Sequence, residues 1–307
     1  MSSETEQLRR LISGMRAAYA AGGNAMAYAR EVTGSESNAT LATLLAYDLQ
    51  TGTYNALARR SPESNARWCH QLAEILATWV REDDVLLEAG CGEATTLAGT
   101  LARLPVSPAH SLGFDLSWSR CAEAREWLAE NGGAAELFVG DLFSIPLADE
   151  SIDVVYTSHT VEPNGGREEQ ALRELLRVTR RVLVLVEPAY ERADEEAQAR
   201  MRQHGYARGL RGVLERLGAR VTRDELLPYS VNPRNPSGLL VVEKAPASGP
   251  GAPVFQCPLT GAALVDGGEV RIAESMGLVY PVLQGIPLLR PEHAVVASRL
   301  ELRVSRP

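Results

Sequence analysis

Paired cysteines are missing from this chain. Cys69, Cys91, Cys121 and Cys257 lie far apart in 307 residues, with none of the close spacings of a disulfide framework, and they read as free thiols in a reducing compartment. No apolar run nears the length that crosses a bilayer. The opening MSSETEQLRR has no apolar signal core, so the expectation is a cytoplasmic protein with no membrane partner. Basic charge is also short: 31 Lys and Arg stand against 39 Asp and Glu, a net −8. A surface of that sign repels phosphate backbones and disfavours nucleic acid as a partner. What is present is an ordinary soluble composition, 45% hydrophobic and 23% charged, in a chain long enough for one large domain and a small one.

The organising stretch is Asp84 to Asp115. Val85-Leu86-Leu87 is short and wholly apolar, as a strand buried on both faces would be. The turn Glu88-Ala89-Gly90-Cys91-Gly92 follows, then a helix-compatible segment, Thr95 to Leu104, and a second short run that ends in Asp115. Glycines at 90 and 92 let the backbone turn tightly and let a ligand come close. An acid closing the neighbouring strand can accept hydrogen bonds from both hydroxyls of a ribose. A dinucleotide site would want G-x-G-x-x-G, and its third glycine falls on Thr95, so that class is disfavoured.

The pattern E-x-G-x-G-x-A over Glu88 to Ala94 resembles the first motif of the class I S-adenosylmethionine-dependent methyltransferases, with Ala94 where the last glycine usually stands. The resemblance extends over about residues 60 to 245. It implies that Glu88, Ala89, Gly90, Cys91, Gly92 and Ser158 surround the cofactor, with Asp115 and Leu116 at its ribose. Asp141 would hold the adenine amino group, and Leu142 would offer a backbone N–H. Tyr54, and Tyr47 on the acceptor side, belong to an N-terminal segment of the kind that often closes over the cofactor in this family. A surface helix pair packed on the sheet is the other reading of that segment.

The implied fold is α/β: a Rossmann-like, seven-stranded methyltransferase sheet with an N-terminal helical extension and a small C-terminal β-rich module. The expected boundaries are 1–60 for the helical extension, 61–245 for the methyltransferase domain, 246–253 for a linker and 254–307 for the module. Strands are expected at Glu136–Val139, Ile152–Thr157, Val182–Val186, Ala219–Val221 and Leu239–Val242. Helices are expected at Ser117–Asn131 and Arg167–Thr179. Ser61-Pro62 starts a further helix, whose Trp68, Leu72, Ile75, Leu76 and Trp79 form one apolar stripe.

The corner Ser158–Asn164 leaves the fourth strand at the carboxyl end of the sheet, where ligands of such folds bind. The unperturbed pKa of a histidine suits a general base at neutral pH, which makes His159 a candidate base; a binding or structural role stays open for it. Glu162 reads equally as a base, an acceptor ligand or a cap. Asn164, Glu187, Tyr190, His204 and Tyr206 are candidate acceptor-pocket residues. The Asn-Pro-Pro-Tyr type of motif that clamps planar amines is missing, with Ser158-His159-Thr160-Val161 in its place. The resemblance then implies methyl transfer to a small molecule, oxygen favoured over nitrogen or carbon, in secondary or cell-surface metabolism. A catalytically idle scaffold, or an enzyme acting on protein or RNA, is the alternative, and a homodimer is a reasonable state.

The last fifty residues look like the small zinc-ribbon-like activator of methyltransferases. Only Cys257 remains of its four thiolates, with Thr260, Ala273 and Met276 at the other positions. One thiolate cannot build a tetrahedral zinc site, so no metal is expected. Val279, Val282, Ile286 and Leu288 are the expected core of this module.

Overall fold

The computed structural model describes residues 3–34, 39–245 and 251–299. Seven strands form the main sheet: β1 (Val85–Ala89), β2 (His110–Asp115), β3 (Glu136–Val139), β4 (Ile152–Ser158), β5 (Thr179–Pro188), β6 (Val221–Leu226) and β7 (Ser237–Glu243). Their order is β3-β2-β1-β4-β5-β7-β6. β1 pairs in parallel with β2 on one side and β4 on the other, so strand order reverses at β1, and the crevice outside its carboxyl end is the place for a ligand. β7 runs antiparallel between β5 and β6. All five residues of β1 are buried, as a strand covered on both faces requires.

The sixth strand differs from expectation. It runs from Val221 to Leu226, beyond the apolar residues that marked it, through Thr222-Arg223-Asp224-Glu225. It is an edge strand with half-exposed or exposed positions throughout, and such an edge carries charge without losing its pairing.

The N-terminal helices are α1 (Ser3–Ala20), α2 (Ala25–Thr33), α3 (Thr40–Leu49) and α4 (Thr53–Arg60). Met15, Ala25, Ala29, Ala42 and Ala46 form a small core of their own. α5 (Pro62–Leu76) opens with proline in its first turn, where no intrahelical N–H is needed. With α6 (Thr95–Leu101) and α7 (Trp118–Glu130) it covers one face of the sheet through Trp68, Leu72, Leu76, Leu97 and Leu128. α8 (Glu168–Val178) and α10 (Leu210–Arg216) cover the other, with α9 (Glu195–His204) between them in the chain. Ser117 caps α7 by accepting from Arg120 N, which fixes the start of that helix directly after Asp115.

The C-terminal module is a five-stranded sheet of β8 (Val265–Asp266), β9 (Val270–Ala273), β10 (Leu278–Leu283), β11 (Ile286–Pro287) and β12 (Val295–Val296). It is fastened to the edge of the main sheet. Leu288 bridges Val139 in parallel register, and Leu289 N donates to Val139 O at 2.8 Å. Phe255 packs edge-on against Phe138, with ring centres 5.2 Å apart. Of the four positions that match zinc ligands in the activator family, Cys257 and Ala273 are buried while Thr260 and Met276 are exposed. The Cys257 thiol lies 3.1 Å from the Tyr280 hydroxyl. Among the described residues no three His, Cys, Asp or Glu side chains gather as a metal site. Val279 and Ile286 are buried as expected and Val282 and Leu288 only in part, whereas Tyr280 and Leu289 are fully enclosed. Residues 246–250 of the expected linker, and 300–307 of the module, lie outside the described residues.

Candidate cofactor and acceptor site

The link from β1 to α6 holds three residues with positive φ: Gly90 at +69°, Gly92 at +55° and Ala94 at +56°. A Cβ on Gly90 would stand 2.2 Å from Thr160 Cγ2, so only glycine fits there. A Cβ on Gly92 would have Arg120 Nη1, at 3.4 Å, as its one neighbour within 4 Å. Ala94 holds the left-handed conformation without the freedom of glycine, at a cost of about 1–2 kcal/mol. We therefore expect Ala94→Gly to leave stability unchanged or to raise it by about 0.5 kcal/mol, since relief of strain offsets the lost methyl and the freer unfolded chain. A urea midpoint showing a loss above about 1 kcal/mol would contradict this.

Asp115 is built into the same turn. Gly92 N donates to its Oδ2 at 3.1 Å and Ser117 N to its Oδ1 at 3.0 Å. Burial pushes this carboxyl up, against the charge of Arg120 and the N–H groups of Ser117 and Gly92. Each oxygen keeps a lone pair for an outside donor. Gly140 N donates to Asp115 O at 3.0 Å, so Asp141, 9% exposed, stands on the adjacent strand end. Phe143 N donates to Asp141 Oδ1 at 2.9 Å. Burial raises its carboxyl too, opposed by that N–H and by the charges of Arg290 and Arg167; Arg290 comes from the C-terminal module. Leu116 and Leu142 follow their acids, half-buried and buried.

Glu88 does not open on the crevice. It is 2% exposed, and Tyr156 donates its hydroxyl to Oε2 at 2.9 Å. Burial pushes its carboxyl up to about 8, so it is mostly protonated at neutral pH.

At the end of β4, Thr160 ties the corner to the glycine turn by donating to Ala89 O at 2.7 Å. Glu187 gathers the backbone N–H groups of Thr160, Val161 and Glu162 at 3.0, 3.1 and 3.0 Å. This cradle holds His159 at φ +59°, a conformation a histidine adopts only when its surroundings fix it. The ring is held at both nitrogens: Nδ1 is 2.6 Å from Glu162 Oε2 and Nε2 is 2.8 Å from Ser237 Oγ. Trp68 packs edge-on against it and donates to Ser158 Oγ at 3.3 Å. Burial lowers the imidazole pKa, but the bond to Glu162 and the charges of Glu162 and Glu187 outweigh it, and the net shift is upward. The set has the order of a Ser–His–carboxylate triad, yet Ser237 is 1% exposed and its hydroxyl has no face for a substrate. It orients the ring.

The remaining candidates divide. The phenols of Tyr47, Tyr54 and Tyr206 all feel the Glu162 carboxylate, as does His204. Tyr206 lies beside His204, with ring centres 5.6 Å apart. Asn164 and Glu187 are turned onto the backbone of the corner, Asn164 Nδ2 donating to Thr160 O at 3.1 Å. Tyr190 stands apart, accepting from Arg202 Nη1 at 2.6 Å, with the guanidinium of Arg208 5.6 Å from its ring centre.

Four residues escaped the sequence reading. Glu93, 1% exposed, accepts from Gly52 N at 3.0 Å and Asn55 N at 2.8 Å. It thereby pins the α3–α4 turn to the glycine turn, with a charge well placed at the start of α4. Arg120 lies under that turn, Thr160 and Ser237 at the corner. An acid next to the glycine motif was a signal for Glu93; nothing local marked the others.

Residues 86–182 match the family model of a methyltransferase domain. The chain is 35% identical over 113 residues to an uncharacterized 37.1 kDa protein in transposon TN4556 of Streptomyces fradiae, an alignment that spans 36% of this chain and 32% of that protein. Among solved structures it is similar to the magnesium protoporphyrin IX methyltransferase of Synechocystis PCC 6803, with TM-score 0.50 and 16% identity over 66% of this chain and 100% of that one. It is also similar to mitomycin 7-O-methyltransferase, with TM-score 0.53 and 17% identity over 78% of this chain and 68% of the other. The fold is that of the class I S-adenosylmethionine-dependent methyltransferases, the match to a methyltransferase-domain model lies within its sheet, and among the described residues the β-rich module joined to it has no zinc-ligand set.

Proposed function

We propose that the protein transfers the methyl group of S-adenosylmethionine to a small-molecule acceptor, with a hydroxyl oxygen favoured over nitrogen or carbon. The observation that carries the reading is the run of groups along successive strand ends. Asp141 follows β3, Asp115 ends β2, the glycine turn follows β1 and the His159–Glu162 pair follows β4. The residues fit the cofactor: each Asp115 oxygen accepts one backbone N–H and keeps a lone pair for a ribose hydroxyl, and a Cβ on Gly92 would have Arg120 as its one neighbour within 4 Å. In this reading Asp115 takes the ribose hydroxyls, and Asp141 and Leu142 N the adenine. Gly90, Cys91 and Ser158 flank the amino-acid end, under Tyr54. The cofactor, when bound, supplies a methyl group already activated by positive sulfur.

The chain's own work is alignment and proton removal. Glu162 on Nδ1 keeps the ring in place and steadies the cation, and His159 takes the proton at Nε2, which exchanges its bond to Ser237 Oγ for one to the acceptor hydroxyl. Tyr47, His204 and Tyr206 line the approach. The names of the solved relatives, a porphyrin and a mitomycin methyltransferase, support a small-molecule acceptor, as does the acidic surface.

The experiment is production of S-adenosylhomocysteine from a panel of hydroxylated small molecules. Because the folded imidazole pKa is raised by Glu162 and Glu187, its neutral form takes over at higher pH than in an ordinary imidazole. The rate should therefore climb with pH through a limb displaced upward. His159→Ala should remove that limb and lower kcat by about 10²–10⁴-fold. An unchanged pH profile in the variant would remove the base role.

A further inference from the structure

Under the α3–α4 turn lies the guanidinium of Arg120. Arg120 is 3% exposed, and its Nε donates to Tyr47 O at 2.9 Å. The rings of Tyr47 and Tyr54 flank it, with centres 4.8 and 4.7 Å from Cζ. Its Nη1 stands 3.4 Å from where a Cβ of Gly92 would be, and its Nη2 is buried with no well-formed hydrogen bond. A guanidinium cannot shed its proton, so a buried donor left unsatisfied is a standing cost. The aromatic faces and the Tyr54 hydroxyl, which the guanidinium also reaches, offset part of that cost, but neither pairs with the guanidinium's parallel N–H groups as a carboxylate does. Asp115 is the acid it senses, yet both Asp115 oxygens already accept from the backbone and face the ribose position. An apolar residue would pack at this helix position without that cost.

We infer that Arg120 anchors a carboxylate: the one at the amino-acid end of S-adenosylmethionine, bound with its ribose on Asp115. The inference rests on the cofactor reading above. A guanidinium matches a planar carboxylate with paired donors, and the amino-acid end is the anionic part of the cofactor. Tyr54 is 43% exposed and is the ring with room to move aside as the ligand enters. A carboxylate on the acceptor has the same chemistry, and the test separates the two sources.

The probes are S-adenosylhomocysteine and its decarboxylated form, which keeps the adenosine, the thioether and the amine. Calorimetric titration of the full chain should show the first bound about 10–100-fold more tightly than the second, as loss of a charge-assisted pair requires. Arg120→Met should erase that preference by weakening the first ligand alone, and Arg120→Lys should keep part of it. Equal weakening of both ligands in Arg120→Met, or unchanged affinity for S-adenosylhomocysteine as an acceptor carboxylate would give, overturns the proposal. Should Arg120→Met fail to fold, the native chain still decides: equal affinity for the two ligands overturns it. If the native chain binds neither, the cofactor reading falls and takes this inference with it; binding without preference sinks the inference alone.

Discussion

Asp115→Ala is expected to weaken S-adenosylhomocysteine binding by about 10²–10³-fold, as the loss of two charge-assisted hydrogen bonds to a ribose would. The effect has a second part. Asp115 also accepts from Gly92 N and Ser117 N, so the alanine leaves both backbone donors without their partner and loosens the turn that shapes the crevice. Asp115→Asn keeps an acceptor and the shape but not the charge, and should fall between the two. Titration with adenosine as a second ligand checks the source of the loss. Adenosine carries the ribose without the amino-acid end, and its affinity should fall in parallel. An Asp115→Ala chain that binds like the parent would mean that this acid does not hold the cofactor.

The second large effect concerns stability. The Glu88 carboxyl titrates near 8 in the folded chain because burial penalises its charge, against an ordinary 4.5. The unfolded chain therefore releases this proton from about pH 4.5 upward while the folded chain keeps it until about 8. Between those values the folded state binds more protons, so stability falls as pH rises through the window. Glu88→Gln removes the titration and keeps an acceptor for the Tyr156 hydroxyl. At pH 8 the variant should be the more stable by on the order of 3 kcal/mol, with the gap closing towards pH 5. Other acids, the half-buried Asp115 and the buried Asp141 among them, shift in the same direction, so the difference between the two denaturation curves is the quantity to read. Parallel curves across pH 5–8 would show that Glu88 carries its charge in the fold.

Much of this architecture could be read from the chain. Val85–Leu87 and Val182–Val186 are short apolar runs that need cover on both faces, and few folds place such strands beside a glycine turn that ends in an acid. Asp115 and Asp141 were legible because each closes a strand. β6 was not, since an edge strand can carry Arg223, Asp224 and Glu225 and so looks like a loop. The site's supports were hidden for another reason: their partners are remote in sequence. Arg120 meets Tyr47 across 73 residues, Glu93 meets Asn55 across 38 and His159 meets Ser237 across 78. An arginine on a helix reads as solvent-facing by any periodicity rule, and only the fold reveals that this one points inward. Tyr190 and Tyr206 were indistinguishable in sequence. The fold sends the first towards Arg202 and the second towards Glu162.

The measurement that bears most directly on the central claim is calorimetric titration of the folded chain with S-adenosylmethionine, S-adenosylhomocysteine and NAD. Saturable binding of both sulfur compounds, one per chain, and none of NAD is expected. A folded chain that takes up neither sulfur compound, or that prefers NAD, would contradict it.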